Sequence, residues 1–211
     1  MANPTITVLA GTNGAGKSSV GGELLRQSGV PYYNPDAVAR EILSENPGMD
    51  LSEANGLAWQ EEVRQLKEAI RLRQDFSFES TLGGATITGI LQDALDAGLD
   101  VWIWYVGLES PELHIARVKA RVAQGGHPIP EEAIRTRFNG SRRNLILLMG
   151  RLAELRVFDN SAQADPHLGH EPEPRLLLHL QNGKLVGPSM EMLQQTPDWA
   201  KPIVEAALLL G

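Results

Sequence analysis

Cysteine is absent from all 211 residues. Disulfide scaffolds, thiolate zinc sites, iron–sulfur clusters and cysteine nucleophiles are excluded with it. Aromatic residues are sparse: four tryptophans, three tyrosines and four phenylalanines. Positive charge is in deficit, with 19 Lys and Arg against 26 Asp and Glu for a formal charge of −7. A chain of that balance is poorly equipped to follow a nucleic-acid backbone or to stack on bases, so no nucleic-acid partner is expected. No run approaches the ~18 apolar residues of a membrane span. The opening MANPTITVLAGTNG also lacks the basic flank and apolar stretch of a signal peptide. The expectation is a soluble, cytoplasmic protein without a membrane partner. The 42% of hydrophobic residues in 23.0 kDa suffices for one domain with its own core, residues 1–211.

Strand and helix signals alternate along the chain. TITVLA (residues 5–10) is a β-branched run that stops at a glycine loop, and a helix is expected from Lys17 to about Gln27. Residues 30–34 read as a short second strand. Asn34-Pro35-Asp36 then opens a helix with a cap residue, proline at the first position and an acid in the first turn. Trp59, Val63, Leu66 and Ile70 recur at helical spacing and predict a long amphipathic helix over about 52–73. FSFE (76–79) reads as a third strand and residues 86–97 as a helix. DVWIWYVG (100–107) is apolar enough for a strand buried on both faces. Ser110-Pro111-Glu112 starts another helix, Gly125–Pro130 is a break, and a further helix runs to about Met149 before LRVFD (155–159). This alternation predicts an α/β fold with a central parallel five-stranded sheet covered on both faces. Beyond it, an acidic, proline-rich loop leads to a hairpin around Asn182-Gly183 and a last helix at about 199–210. His167 and His170 have a metal-like spacing, but in that setting they read as a solvated loop.

The chemistry is announced by Gly11-Thr12-Asn13-Gly14-Ala15-Gly16-Lys17-Ser18, a match to G-x-x-x-x-G-K-[ST] at every fixed position. Glycines let successive N–H groups turn inward onto phosphate oxygens, and the following helix adds its positive N-terminal end. Lys17 is placed for the β- and γ-phosphates, Ser18 for Mg²⁺, and the nucleotide-binding stretch runs from Gly11 through Ser19. ATP and Mg²⁺ are the expected cofactors. No N-K-x-D guanine reader follows, which argues against a GTPase. What remains is the plan of a small-molecule kinase: a P-loop, an acid from the second strand and an arginine-bearing lid.

Asp36 is that acid. At a strand end it shares a cleft with the P-loop, where it orients a substrate hydroxyl and takes its proton; the alternative is a carboxylate that only complements the helix dipole. Arg40, one turn on, pairs with Asp36 or touches substrate. Glu79-Ser80-Thr81 ends the third strand; Glu79 and Thr81 are candidates for substrate hydroxyls or for ordering Mg²⁺ waters, the alternative being a helix cap by the hydroxyls. The lid spans about 110–150, and Arg117, Arg121, Arg135, Arg137, Arg142, Arg143 and Arg151 crowd into or beside it. Arg121 and Arg137 are the candidates for the transferring phosphate. His127 belongs to the same turn as a lid residue or simply as part of a proline-flanked turn.

In their order and spacing, GTNGAGKSS, NPDAVAR, FSFESTLGG, GGHPIPEEAIRTRF and RVFDNSA resemble the zeta-toxin family of P-loop kinases, most closely its short bacterial branch, over about residues 5–161. The resemblance implies a three-layer P-loop kinase fold with a helical lid and a C-terminal hairpin and helix (about 162–211). It implies ATP-dependent phosphorylation of a sugar nucleotide such as UDP-N-acetylglucosamine on the sugar 3′-hydroxyl, and a small antitoxin protein that blocks the nucleotide site. By that resemblance Asp36 matches the catalytic base, Lys17 and Ser18 the phosphate and Mg²⁺ contacts, Glu79 and Thr81 the substrate side, and Arg121 and Arg137 the lid arginines. A nucleotide-switched regulatory module, or a kinase for a nucleoside, a sugar, an antibiotic or an RNA end, are the alternatives.

Overall fold

A computed structural model describes residues 3–22, 32–162 and 173–210. Its elements are β1 (Thr5–Ala10), α1 (Ser18–Gly22, wound with the wider π repeat), β2 (Tyr32–Tyr33), α2 (Pro35–Glu45), α3 (Leu51–Leu72), β3 (Phe76–Ser80), α4 (Ala85–Asp96), β4 (Asp100–Gly107), α5 (Pro111–Ala123), α6 (Glu131–Met149), β5 (Glu154–Asp159), β6 (Arg175–Gln181), β7 (Lys184–Gly187), α7 (Met190–Leu193) and α8 (Lys201–Leu208). The rest of the expected first helix and the His167–His170 pair lie outside the described residues.

The sheet runs β2-β3-β1-β4-β5-β6-β7. Its first five strands are parallel, as the alternating pattern predicts, and β6 and β7 add to β5 as an antiparallel hairpin. The hairpin therefore widens the same sheet to seven strands rather than standing apart from a five-stranded one. Its turn has positive φ at Asn182 (49°) and Gly183 (72°), the pair of left-handed residues that a two-residue hairpin requires.

Register explains the core. Val8 lies between Phe78 and Ile103, and Tyr105 beside Val157, all on one face of the sheet. These side chains join Leu66 of α3, Leu91 of α4, Leu145 of α6 and Ile203 of α8 in one buried cluster. On the other face Gly21 of α1 sits against Leu9 and Trp104. Caps set the helix starts: the Asn34 side chain accepts from the Ala37 N–H, Asp50 from Glu53 and Ser110 from Leu113. The two lid helices carry a small core of their own, Ile115, Val118 and Ile134 with Val122 and Ile129.

One expectation about α3 is corrected. Its buried stripe is Ala54, Ala58, Glu62, Leu66 and Ala69, while Trp59 is 44% exposed. The C-terminal helix is also shorter than expected, and Trp199, just before it, is buried by stacking on Tyr105, with ring centroids 6.3 Å apart.

Candidate active site

Because β1, β2 and β3 are parallel, their C-terminal ends open on one edge, and each delivers a site segment there: the P-loop after Ala10, Asn34–Asp36 after Tyr33, and Glu79 with Ser80. The P-loop backbone is built for glycine. Gly11, Gly14 and Gly16 have φ of 141°, 83° and 83°. A Cβ at Gly11 would lie 2.1 Å from the Val106 carbonyl, and one at Gly14 would lie 2.7 Å from that of His114. Across the loop, the Asn160 amide donates to the Ala15 carbonyl at 2.9 Å, and the His114 ring donates through Nδ1 to the Asn13 carbonyl at 2.9 Å. Burial lowers the His114 pKa to about 4, although the Asn13 carbonyl pulls the other way. The ring is thus neutral beside the loop at physiological pH.

Lys17 folds back on the loop, its Nζ donating to the Gly11 carbonyl at 2.9 Å. The loop's desolvation lowers the Lys17 ammonium from its ordinary value, against the attraction of Glu79 and Asp36. Ser18 Oγ donates to Glu79 at 2.7 Å, and the other Glu79 oxygen accepts from the Asn34 amide at 3.2 Å. One carboxylate thus ties together the ends of β2 and β3 and the start of α1. A hydroxyl and a carboxylate in contact beside a phosphate loop are hard oxygen donors of the kind Mg²⁺ takes, so the residues fit that ion.

Asp36 faces the lid. Arg121 Nη1 approaches its Oδ2 at 3.6 Å and His127 Nε2 its Oδ1 at 3.6 Å. Arg137 donates to Asn13 Oδ1 of the P-loop at 2.8 Å, and burial lowers its pKa while Asp36 opposes the shift. The lid is docked closely here: a Cβ at Gly83 would lie 2.9 Å from Arg137 Cγ. The remaining lid arginines turn elsewhere. Arg135 pairs with Glu112, Arg151 with Asp96, and Arg142 lies over the Phe138 ring and donates to the Trp199 carbonyl. Arg40 is exposed and donates to the main-chain oxygen of Asp36, not to its carboxylate. Thr12 is buried at the loop and Ser19 exposed on α1.

Beside the P-loop lies a cavity of about 800 Å³, reached by Asp36, Glu79, Thr81, His127 and Arg137. Its α3 wall was not anticipated. There Glu62 is 2% exposed, faces the cavity, and has no hydrogen-bond partner for Oε1. Burial, helped by Glu79, pushes its pKa up to about 8. The available signal was an acid at i+4 and i−4 from buried positions of α3. Asn160 and His114 carried no such signal.

A family model described as zeta toxin matches residues 1–167. The chain belongs to the zeta toxin family. An uncharacterized protein of Haemophilus influenzae is 33% identical over 129 residues, covering 61% of this chain and 88% of that one. Among solved structures, the AvrRxo1-ORF1:AvrRxo1-ORF2 complex with sulphate ions is similar with a TM-score of 0.64 at 18% identity, over 93% of this chain and 65% of that chain. The PezAT toxin–antitoxin system of Streptococcus pneumoniae gives 0.56 at 12% identity, over 99% and 86%. The crystal structure of a putative kinase from Chloroflexus aurantiacus gives 0.52 at 19%, over 65% and 78%. Family and fold together put this zeta toxin family chain among the P-loop kinases.

Proposed function

We propose that this chain transfers the γ-phosphoryl group of ATP to a hydroxyl of a small molecule seated in the cavity beside the P-loop. The observation that carries the reading is the convergence at Asp36. Its carboxylate meets the cavity, with Arg121 and His127 each 3.6 Å away, and Arg137 bonds the P-loop next to it. The acceptor oxygen attacks the γ-phosphorus, the bond from that phosphorus to the bridging oxygen breaks, and ADP leaves. Asp36 orients the hydroxyl and takes its proton. Lys17, released from the Gly11 carbonyl, and the two lid arginines meet the charge on the transferring group. Positioning and charge matter more than base strength in such a loose transition state. Mg²⁺, held at Ser18 and Glu79, neutralises phosphate charge when bound. Glu79 and Thr81 serve the acceptor side of the same edge, and Arg40 stands at its margin.

The family resemblance makes UDP-N-acetylglucosamine the first sugar nucleotide to test. It also brings in a small antitoxin-like protein covering the nucleotide site; that AvrRxo1-ORF1 is seen with ORF2, and that PezAT is a toxin–antitoxin system, supports a protein partner. Among the described residues no helix is long and apolar enough to cross a membrane, and the reading has the protein act in the cytoplasm. The test is mass spectrometry of acceptors incubated with the protein, ATP and Mg²⁺. A phosphorylated product from the wild type and none from Lys17→Ala supports the reading; ATP turnover to inorganic phosphate alone, whatever the acceptor, counts against it.

A further inference from the structure

The lid meets Asp36 with two different groups, one at each carboxylate oxygen. Arg121 Nη1 stands 3.6 Å from Oδ2, and His127 Nε2 stands 3.6 Å from Oδ1. Only one of them is on the cavity side. Asp36 and His127 line the cavity together with Pro128 and Arg137, whereas among the described residues Arg121 does not. A hydroxyl entering from the cavity therefore reaches Asp36 on the side where His127 stands.

The turn that carries His127 is fixed to the lid. The Gly126 N–H donates to the Arg121 carbonyl at 2.9 Å, and Arg121 Nη2 donates to the His127 carbonyl at 3.5 Å. Gly125 has φ of 92°, and a Cβ at Gly126 would lie 2.9 Å from the Arg121 carbonyl oxygen, so the turn closes tightly on Arg121. Pro128 and Pro130 stiffen the chain on the other side. The His127 side chain is 18% exposed, which leaves it a route to solvent. The charged groups around it are Asp36 of α2, Arg121 of α5 and Arg137 of α6, with Asp50, Glu62 and Glu79 on the other walls of the cavity.

An imidazole holds a proton more tightly than a carboxylate does, so a proton delivered to a carboxylate moves on to a neutral imidazole beside it. We infer that His127 acts through Asp36 as a proton relay, taking the acceptor's proton from that carboxylate and passing it to solvent; this rests on the phosphoryl-transfer reading above and deepens it. The acceptor oxygen bonds the γ-phosphorus, the bond from that phosphorus to the bridging oxygen breaks, and ADP leaves with the electron pair. The hydroxyl proton goes to Asp36 Oδ1 and then to Nε2 of a His127 whose own proton is on Nδ1. Catalytic hydrogen bonds that are long in an empty enzyme commonly tighten once substrate is bound, and the 3.6 Å separation leaves such a gap to close. A His127 that is already protonated cannot take the proton, and it pairs with the Asp36 carboxylate in competition with the acceptor. Transfer therefore fails on the acid side.

The test pairs a titration with a rate profile. The His127 imidazole is followed by NMR from about pH 5 to about pH 9 in the nucleotide-free protein, its signal identified by its absence from His127→Gln. Asp36→Asn should lower the titration midpoint by at least about 0.5 pH unit, because a facing carboxylate favours the imidazolium. An unmoved midpoint would overturn the pairing and the relay with it. Initial rates of transfer from ATP and Mg²⁺ to UDP-N-acetylglucosamine are measured by mass spectrometry over the same range. Wild-type kcat should fall by about tenfold or more on the acid side, through the range in which imidazoles titrate. His127→Gln keeps an amide donor for Asp36 but carries no proton. Its kcat at about pH 8 should lie about tenfold or more below wild type, with the acid limb gone and KM for ATP within about threefold. Glu62, which holds its proton up to about pH 8, is present in both proteins and cannot produce that difference. A kcat lowered at every pH with the limb retained, a raised KM alone, or two matching profiles would each overturn the relay. ATP bound by the wild type without product at any pH would overturn the phosphoryl-transfer reading itself, a failure seen without any variant.

Discussion

Glu62→Gln should make stability respond differently to pH, with a sign and size set by burial. In the unfolded chain the Glu62 carboxyl ionises near 4.5, whereas in the folded chain burial and the neighbouring Glu79 hold the proton up to about pH 8. Between those values the unfolded state binds fewer protons than the native state, so stability falls as pH rises. Each pH unit is worth about 1.4 kcal/mol, and the whole window up to about 5 kcal/mol. His114 works in the opposite sense. Its folded pKa is lowered to about 4 by burial, from an unfolded value of 6.5, so its contribution to stability is lost as pH falls through that range. The two effects oppose each other from about pH 4.5 to 6.5 and leave Glu62 alone above it, so wild-type stability should be nearly level and then decline. Gln keeps the shape and removes the titration. Urea denaturation of wild type and variant without nucleotide, at steps from about pH 5 to about pH 8, isolates the Glu62 part as their difference. The variant should gain on the wild type by about 1 kcal/mol per pH unit. Parallel curves, or a gain in the other direction, would refute the claim that Glu62 is buried and protonated.

Asp36→Asn should lower kcat for phosphoryl transfer by about 10²–10⁴-fold while ATP affinity by calorimetry stays within about threefold. Undiminished transfer would remove Asp36 from the chemistry. Gly16→Ala puts a side chain on a residue with φ of 83° and 2.5 Å from the Asn160 amide. ATP affinity should fall by at least about tenfold and thermal stability by about 1–3 kcal/mol. Gly107→Ala places a Cβ 2.3 Å from the Trp199 ring, at a position that does not line the cavity. It should cost about 1–3 kcal/mol in denaturant unfolding, and a neutral result would mean that Trp199 does not pack on β4.

The parts of the site that were legible are those whose local chemistry dictates local sequence. Phosphate binding demands glycines at positive φ and a lysine at a set distance, and Gly11–Ser18 has both. The Asn34-Pro35 start of α2 is likewise written in adjacent residues, which place Asp36 at a strand end. α3 shows where the reading slipped. Two of its buried positions are Ala54 and Ala58, too small to mark a face, so the larger Trp59, Val63 and Ile70 drew the expected stripe and hid Glu62. His114 and Asn160 brace the P-loop from 101 and 145 residues away, which no local pattern reveals. The Asn182-Gly183 turn announced a hairpin, but which sheet edge it joins depends on β5 offering an open side.

The account stands most directly on where the γ-phosphate goes. Phosphorus NMR of ATP and Mg²⁺ with the wild-type protein and UDP-N-acetylglucosamine separates a new phosphomonoester from inorganic phosphate in one spectrum. The account predicts a phosphomonoester that grows in step with ADP, is absent with Lys17→Ala and is strongly reduced with Asp36→Asn. Inorganic phosphate as the sole product, or a phosphomonoester that forms at an equal rate with Asp36→Asn, would contradict it.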